Sequence, residues 1–246
     1  MFPATVRAPR FYIEGRLREG STCTLPEEAA HHAVRVLRLR SGDEVTLFDG
    51  RGGEYAARIA AIERTRVAID VLGHRAVERE AALRLVLVQG VSSGERMDFT
   101  VRKAVELGVA EVHPVLAATS VARPKGERAA ARHEHWQRIA IAACEQCGRN
   151  QIPKVMPLIA LSDYRAESAG LKLLLSPLSE APLSKVAAKG DGFVIAAGPE
   201  AGFNAAEEAA LVEAGFVPVR LGPRVLRTET AALAALAALN ALRGDF

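Results

Sequence analysis

Hydrophobic and polar positions alternate over short stretches in the first part of the chain, at 11–13, 44–48, 54–62 and 66–72. Turn chemistry separates them at Gly20-Ser21, Ser41-Gly42-Asp43 and Gly50-Arg51-Gly52-Gly53, so these runs predict β-strands joined by tight connections. One stretch, 27–39, has helical spacing instead. On a helix it would place His31, Arg35 and Arg38 on one face and Val34 and Leu37 on another, a basic side for solvent or phosphate and an apolar side for a core. The pattern describes a small barrel-like module of about 70 residues, a size at which packing on a neighbour helps a marginal core.

Beyond a polar connection at 74–80 the texture changes. Residues 83–88 form an apolar run interrupted only by Arg84, 95–107 repeat with helical spacing and stop at Gly108, and 109–116 are mostly apolar again. A second helix is expected over 131–147, closing at Gly148, and further apolar runs stand at 171–175, 193–197 and 216–221. Apolar strands alternating with helices indicate a mostly parallel sheet covered on both faces. The chain therefore divides into a β-barrel over 1–73 and an α/β domain over 74–246. The last helix, with Leu233, Leu236, Leu239 and Leu242 on an alanine background, suits close packing against a core or a twin subunit.

Composition narrows the class. The chain has 246 residues, 49% of them hydrophobic, which suits a folded protein. Its longest uncharged apolar stretch, 230–242, falls short of the roughly 20 residues that cross a bilayer, and no signal-peptide pattern is evident; no membrane partner and a cytoplasmic location are expected. The 3 cysteines leave an odd thiol under any pairing, which suits a reducing compartment. A net charge of +3 leans only weakly toward polyanionic partners.

Ligands of open α/β sheets bind beyond the carboxyl ends of the strands. The loops there are Ser176-Pro177-Leu178-Ser179-Glu180, then Gly198-Pro199-Glu200-Ala201-Gly202-Phe203, then Gly222 through Thr230. The second leads to Asn204 with Glu207 three residues on, a helix-start signature. Glycine serves turn geometry as readily as ligand approach, so these loops alone identify no ligand. Neither G-x-G-x-x-G nor G-x-x-x-x-G-K is present, which argues against nicotinamide and nucleotide-hydrolysing enzymes. Cys144-Glu145-Gln146-Cys147 lacks a second ligand pair and reads as packing, while His113 and His133 have no metal-ligand spacing, so no metal is expected. Gln146, Arg149 and Asn150 close a helix, where they either face a cleft or simply end it.

Taken together, Arg10-Phe11-Tyr12, 31–43, Phe48-Asp49-Gly50, 95–99 with Lys103 and Glu106-Leu107-Gly108, 136–150, Gly198-Pro199-Glu200 and 221–230 resemble the ribosomal RNA small-subunit methyltransferase E family over nearly the whole chain. The most specific segments are 139–150 and 221–230. The resemblance implies a PUA-like barrel followed by a SPOUT domain tied into a trefoil knot, acting as a homodimer on 16S ribosomal RNA or the assembled small subunit. It implies S-adenosylmethionine held by Leu175, Ser176, Ala197, Gly198, Pro199, Glu200, Gly202, Leu221, Gly222, Val225, Leu226, Thr228 and Thr230, and methylation of N3 of a uridine near the decoding site. The sequence departs from the family at Ala201, where a second glycine usually stands; a positive φ there would cost alanine about 1–2 kcal/mol.

Uridine N3 must lose a proton, which suggests Glu229 as base and Arg227 as stabiliser of the developing anion. An acid in a first helical turn and an arginine in a salt bridge would look the same. Arg10, Arg35, Arg38, Arg40 and Arg149 are the candidate RNA contacts, with a solvated basic face as the plain alternative. Two other functions remain open at this stage, a SPOUT methyltransferase acting on transfer RNA or a ribose 2′-hydroxyl, and a catalytically silent RNA-binding protein.

Overall fold

Alternate residues of one strand, Val67, Ile69 and Val71, turn to the same interior as Val45, Leu47, Ala57 and Ile59, and this period of two builds the first sheet. The structure is a computed structural model describing residues 8–64, 66–166, 170–187, 190–244 and 246. Five strands, β1 (Arg10–Tyr12), β2 (Thr22–Thr24), β3 (Glu44–Phe48), β4 (Glu54–Glu63) and β5 (Arg66–Arg75), lie in the order β1-β3-β4-β5-β2. Register shifts at Ala56/Ala57 and Ile59/Ala61 interrupt the β4–β5 ladder, a device that bends a sheet round its core. β2 escapes the sequence pattern because three residues flanked by turns carry too little alternation to read.

The expected helix over 27–39 is a correction. Helix α1 (Glu27–His31) passes into a π-turn at His32–Val36, where the Leu37 amide reaches back to the His32 carbonyl, and Arg38 at φ +56° ends it. The wider turn shifts the phase of everything after it. Val34 and Leu39 pack on the core, while Val36 and Leu37, the latter expected inside, are exposed among Arg35, Arg38 and Arg40.

The second sheet is parallel throughout. Its strands β6 (Arg84–Gly90), β7 (Val109–Leu116), β8 (Lys154–Val155), β10 (Leu171–Leu175), β11 (Gly192–Ala197) and β12 (Val217–Val219) run in the order β12-β10-β11-β6-β7-β8, with the short β9 (Ile159–Ala160) also on β7. The chain goes outward from β6 to β7 and β8, then returns to the other side of β6, so the order reverses at β6/β11. β6 and β11 are buried along nearly their whole length, as continuous apolar runs require. Val86, Val88, Val194 and Ala196 meet Leu211 and Phe216 on one face; α2 (Glu95–Glu106) and α6 (Thr228–Arg243) cover strands on the other. Helix α5 (Ala205–Glu213) starts with the expected capping box, Asn204 and Glu207 each accepting the other's amide. A single turn, α4 (Leu183–Val186), precedes β11.

Helix α3 (Glu127–Cys147) begins four residues before its expected start, since Arg128-Ala129-Ala130 are helix formers behind Gly126 at φ +54°. The chain falls into two compact units, residues 1–80 with 144–152, and residues 81–143 with 153–246. The first is larger than the 1–73 barrel read from sequence by the arm 74–80 and by the segment 144–152, whose docking depends on long-range pairing. Arg149 bonds Glu80 through Nε at 2.8 Å and Nη2 at 2.6 Å, and Arg10 donates to Glu54, the Arg149 carbonyl and Asn150.

Candidate functional site

Three loops meet at the carboxyl ends of β10, β11 and β12 and line a cavity of about 400 Å³, within the range of small-ligand sites. The first is Leu175 to Leu178, the second Ala197 to Phe203, and the third includes Leu221, Gly222, Arg224, Val225 and Leu226, with Thr228 and Ala231 of α6 behind it. All the cofactor residues expected from sequence line it except Thr230, which is exposed on α6. Glu208 and Ala231 line it too and carried no motif.

Close backbone approach shapes the floor. A Cβ on Gly90 would stand 2.4 Å from Pro199 Cδ, and one on Gly198 would stand 2.8 Å from the Gly202 backbone. The Gly202 amide closes the turn onto the Pro199 carbonyl at 2.8 Å, and Gly202 takes the left-handed φ of +74°. Ala201 has no positive φ. The residue that departs from the family pattern therefore sits where alanine is unstrained.

Polar side chains brace the loops. Gln89 Nε2 donates to Thr228 Oγ1 at 3.0 Å, and the Thr228 hydroxyl donates to the Gly198 carbonyl, tying the start of α6 to the second loop. Thr119 donates to the Gly202 carbonyl. Glu200 accepts from the Ser93 amide and hydroxyl, both at 2.8 Å, and from Arg96 at 3.0 Å. Burial raises its pKa, but these bonds and one from its own amide outweigh that and hold the carboxyl at about 2. Gln89, Ser93, Arg96 and Thr119 received no role from sequence because each acts across a large separation along the chain.

Arg227 and Glu229 do not line the cavity. Arg227 precedes α6 and is exposed, whereas Glu229, in the first turn, is half-buried with Oε2 shielded and without a hydrogen-bond partner. Arg35, Arg38 and Arg40 are exposed in the first unit. Arg10 and Arg149 correct the sequence reading: their side chains are only 6% and 7% exposed and hold Glu54 and Glu80, so neither offers its guanidinium to RNA. Asn150 is buried beside them, and Gln146 is exposed. Burial pushes the Cys144 thiol up to about 12, which fits packing rather than reactivity.

The cavity offers apolar and polar surface together. Its walls combine Leu175, Leu226 and Phe203 with loop backbone, and two carboxylates, Glu200 and Glu208, line it as well. Comparison with known proteins gives the same direction. Residues 79–240 match the family described as RNA methyltransferase domain, and residues 25–72 match the RNA methyltransferase PUA domain. The fold and its loops define an RNA methyltransferase of the SPOUT type with a PUA domain ahead of it.

Relatives specify it further. A ribosomal RNA small subunit methyltransferase E of Buchnera aphidicola is 31% identical, with 100% of each chain covered, and that of Bacillus subtilis is 30% identical over 96% of this chain and 99% of its own. The solved Neisseria gonorrhoeae methyltransferase E bound to S-adenosylmethionine is 41% identical with a TM-score of 0.92, covering 98% of this chain and 100% of that one. A Legionella pneumophila methyltransferase in complex with the same cofactor is 37% identical with a TM-score of 0.93 over 98% and 100%. The chain belongs to the ribosomal RNA small subunit methyltransferase E family.

Proposed function

We propose that the protein methylates N3 of a uridine in 16S ribosomal RNA, using S-adenosylmethionine. The observation that carries this reading is the meeting of three backbone-rich loops in one cavity at the carboxyl edge of a parallel sheet. The bound cofactor supplies a methyl group on a sulfonium, an electrophile that needs alignment more than covalent help. Leu175, Leu226 and Phe203 supply apolar walls, and the Gly198 to Gly202 turn brings backbone close. Gln89, Thr228 and Glu200 with Ser93 and Arg96 hold those loops in place before anything binds.

Glu229 is the candidate acceptor of the N3 proton, since a shielded carboxylate oxygen without a partner is able to take one. Arg227, at the N-cap of α6 two residues before Glu229, is the candidate stabiliser of the uridine oxygens as charge develops. N3 lies on the pairing edge, so the uridine must be unpaired or flipped. Arg35, Arg38 and Arg40 carry RNA phosphates on the first unit. A homodimer is part of the reading: Leu178 is 92% and Val225 81% exposed at the cavity, apolar side chains that a second copy would cover. Its place of work would be the cytoplasm, beside the small subunit.

The test is incubation with methyl-labelled S-adenosylmethionine and unmodified small subunits, followed by nucleoside mass spectrometry. Label in 3-methyluridine is expected; label in another nucleoside moves the substrate. Glu229→Gln should lower turnover at saturating substrate by about 10²-fold or more. Unchanged turnover removes Glu229 as base.

A further inference from the structure

A second cavity, of about 1000 Å³, lies in the same α/β unit and is separate from the one described above. Its walls carry Arg123, Lys125, Arg128 and Arg132 against one carboxylate, Glu127. Lys125, Arg128 and Arg132 are exposed, and among the described residues none has a recorded ion pair. Arg123 instead shapes the wall, bonding the carbonyls of Ala117, Ala118 and Ser120.

Helix geometry adds to the charge. The cavity takes in the first turns of both α2, through Gly94 and Met97, and α3, through Glu127 and Arg128. No side chain caps the start of α2, so two amide-bearing helix ends border one basic hollow. The independent sign of a ligand is Ser92. It lines the wall, is 3% exposed, and its Oγ has no hydrogen-bond partner, which is costly for a buried hydroxyl.

We infer that this cavity, built from Ser92, Lys125, Arg128 and Arg132, receives a backbone phosphate of the substrate RNA beside the nucleotide being methylated. The loop after β6 connects the two sites. Ser92 and Gly94 face the basic cavity while Ser93, between them, holds Glu200 of the cofactor-type loop. A phosphodiester held at Ser92 would therefore fix the strand next to that loop. Its oxygens would accept from the Ser92 hydroxyl and the arginines, which suits a forked, always-charged donor. A phosphate on a chain is favoured over a free ion because the hollow, at about 1000 Å³, has room for far more than one phosphate and is lined by several cations.

The inference rests on the RNA methyltransferase reading, yet its test needs no turnover. Binding of a fluorescein-labelled, uridine-rich single-stranded RNA is followed by anisotropy from 50 to 300 mM salt, for the wild type, the double variant Arg128→Ala, Arg132→Ala, and Ser92→Ala. The double variant should lose about tenfold in affinity per contact near 0.1 M salt, with its salt slope reduced by roughly 0.7–0.9 for each. Ser92→Ala should weaken binding with an unchanged slope, and Arg102→Ala, an exposed charge outside the cavity, should leave both unchanged. Melting temperatures verify folding.

A wild-type slope and affinity in the double variant overturn the inference, as does an equal loss in Arg102→Ala. Competition by inorganic phosphate with no change in the RNA slope also overturns it, since the cavity would then hold a free ion only. If the wild type binds RNA through this cavity but transfers no label from S-adenosylmethionine, the proposed reaction fails and the phosphate site stands.

Discussion

The carboxylate of Glu200 belongs to the glycine-proline loop that the family resemblance assigns to the cofactor; in the fold Glu200 lines the cavity and its carboxylate also holds the loop to Ser93 and Arg96. Its depressed pKa makes that hold pH-dependent. A carboxyl at about 2 when folded and near 4.5 when unfolded stabilises the protein fully above 4.5, and loses that contribution as pH falls from there through 2. Urea unfolding should show Glu200→Gln less stable than the wild type at pH 7, with the gap narrowing below pH 4.5. A constant gap would contradict the role. Gly90 makes the second residue-scale case. Gly90→Ala forces a methyl into Pro199, which should cost about 1–3 kcal/mol and displace the second loop, read as a lowered melting temperature and weaker S-adenosylmethionine binding by calorimetry.

Elements differ in how much of them the sequence displays. The strands β3, β7 and β10 coincide with their apolar runs at 44–48, 109–116 and 171–175, and the α5 capping box was visible in Asn204 and Glu207. These features are local, set by side chains within a few residues of each other. The π-turn at His32–Val36 was not visible, because the decision between i→i−4 and i→i−5 bonding rests on how Val34 and Leu39 seat on the sheet. The segment 139–150 carried the family resemblance and left open whether its end faces a cleft or simply closes a helix. In the fold Arg149 and Asn150 bind Glu80 and Arg10, partners more than sixty residues away. Arg149→Ala removes the cation from Glu80, leaving it the Asn150 and Gln151 amides, and should destabilise by roughly 1–3 kcal/mol in chemical unfolding. By contrast, Arg35→Ala with Arg38→Ala should spare stability and lower the salt slope of RNA binding by about two units. A stable Arg149→Ala protein, or an unchanged slope in the pair, would reverse these assignments.

For the whole molecule, the apolar exposure of Leu178 and Val225 bears on assembly. Val225→Asp should shift the protein toward monomer in sedimentation velocity and weaken cofactor binding together, because the side chain belongs to the cavity and to the proposed contact at once. Dissociation with intact cofactor affinity would separate the two. Two compact units, a parallel sheet and its order of apolar runs follow from hydrophobic periodicity, a property of neighbours along the chain. The family follows as well, through residues whose spacing is itself local. Only the tertiary structure decided that 144–152 joins the first unit, that Gln89 and Thr228 lock the second loop, and that Ser92 opens on a basic hollow. Each of these depends on residues far apart in sequence being brought together, and a linear pattern carries no record of which distant neighbours the fold will place side by side.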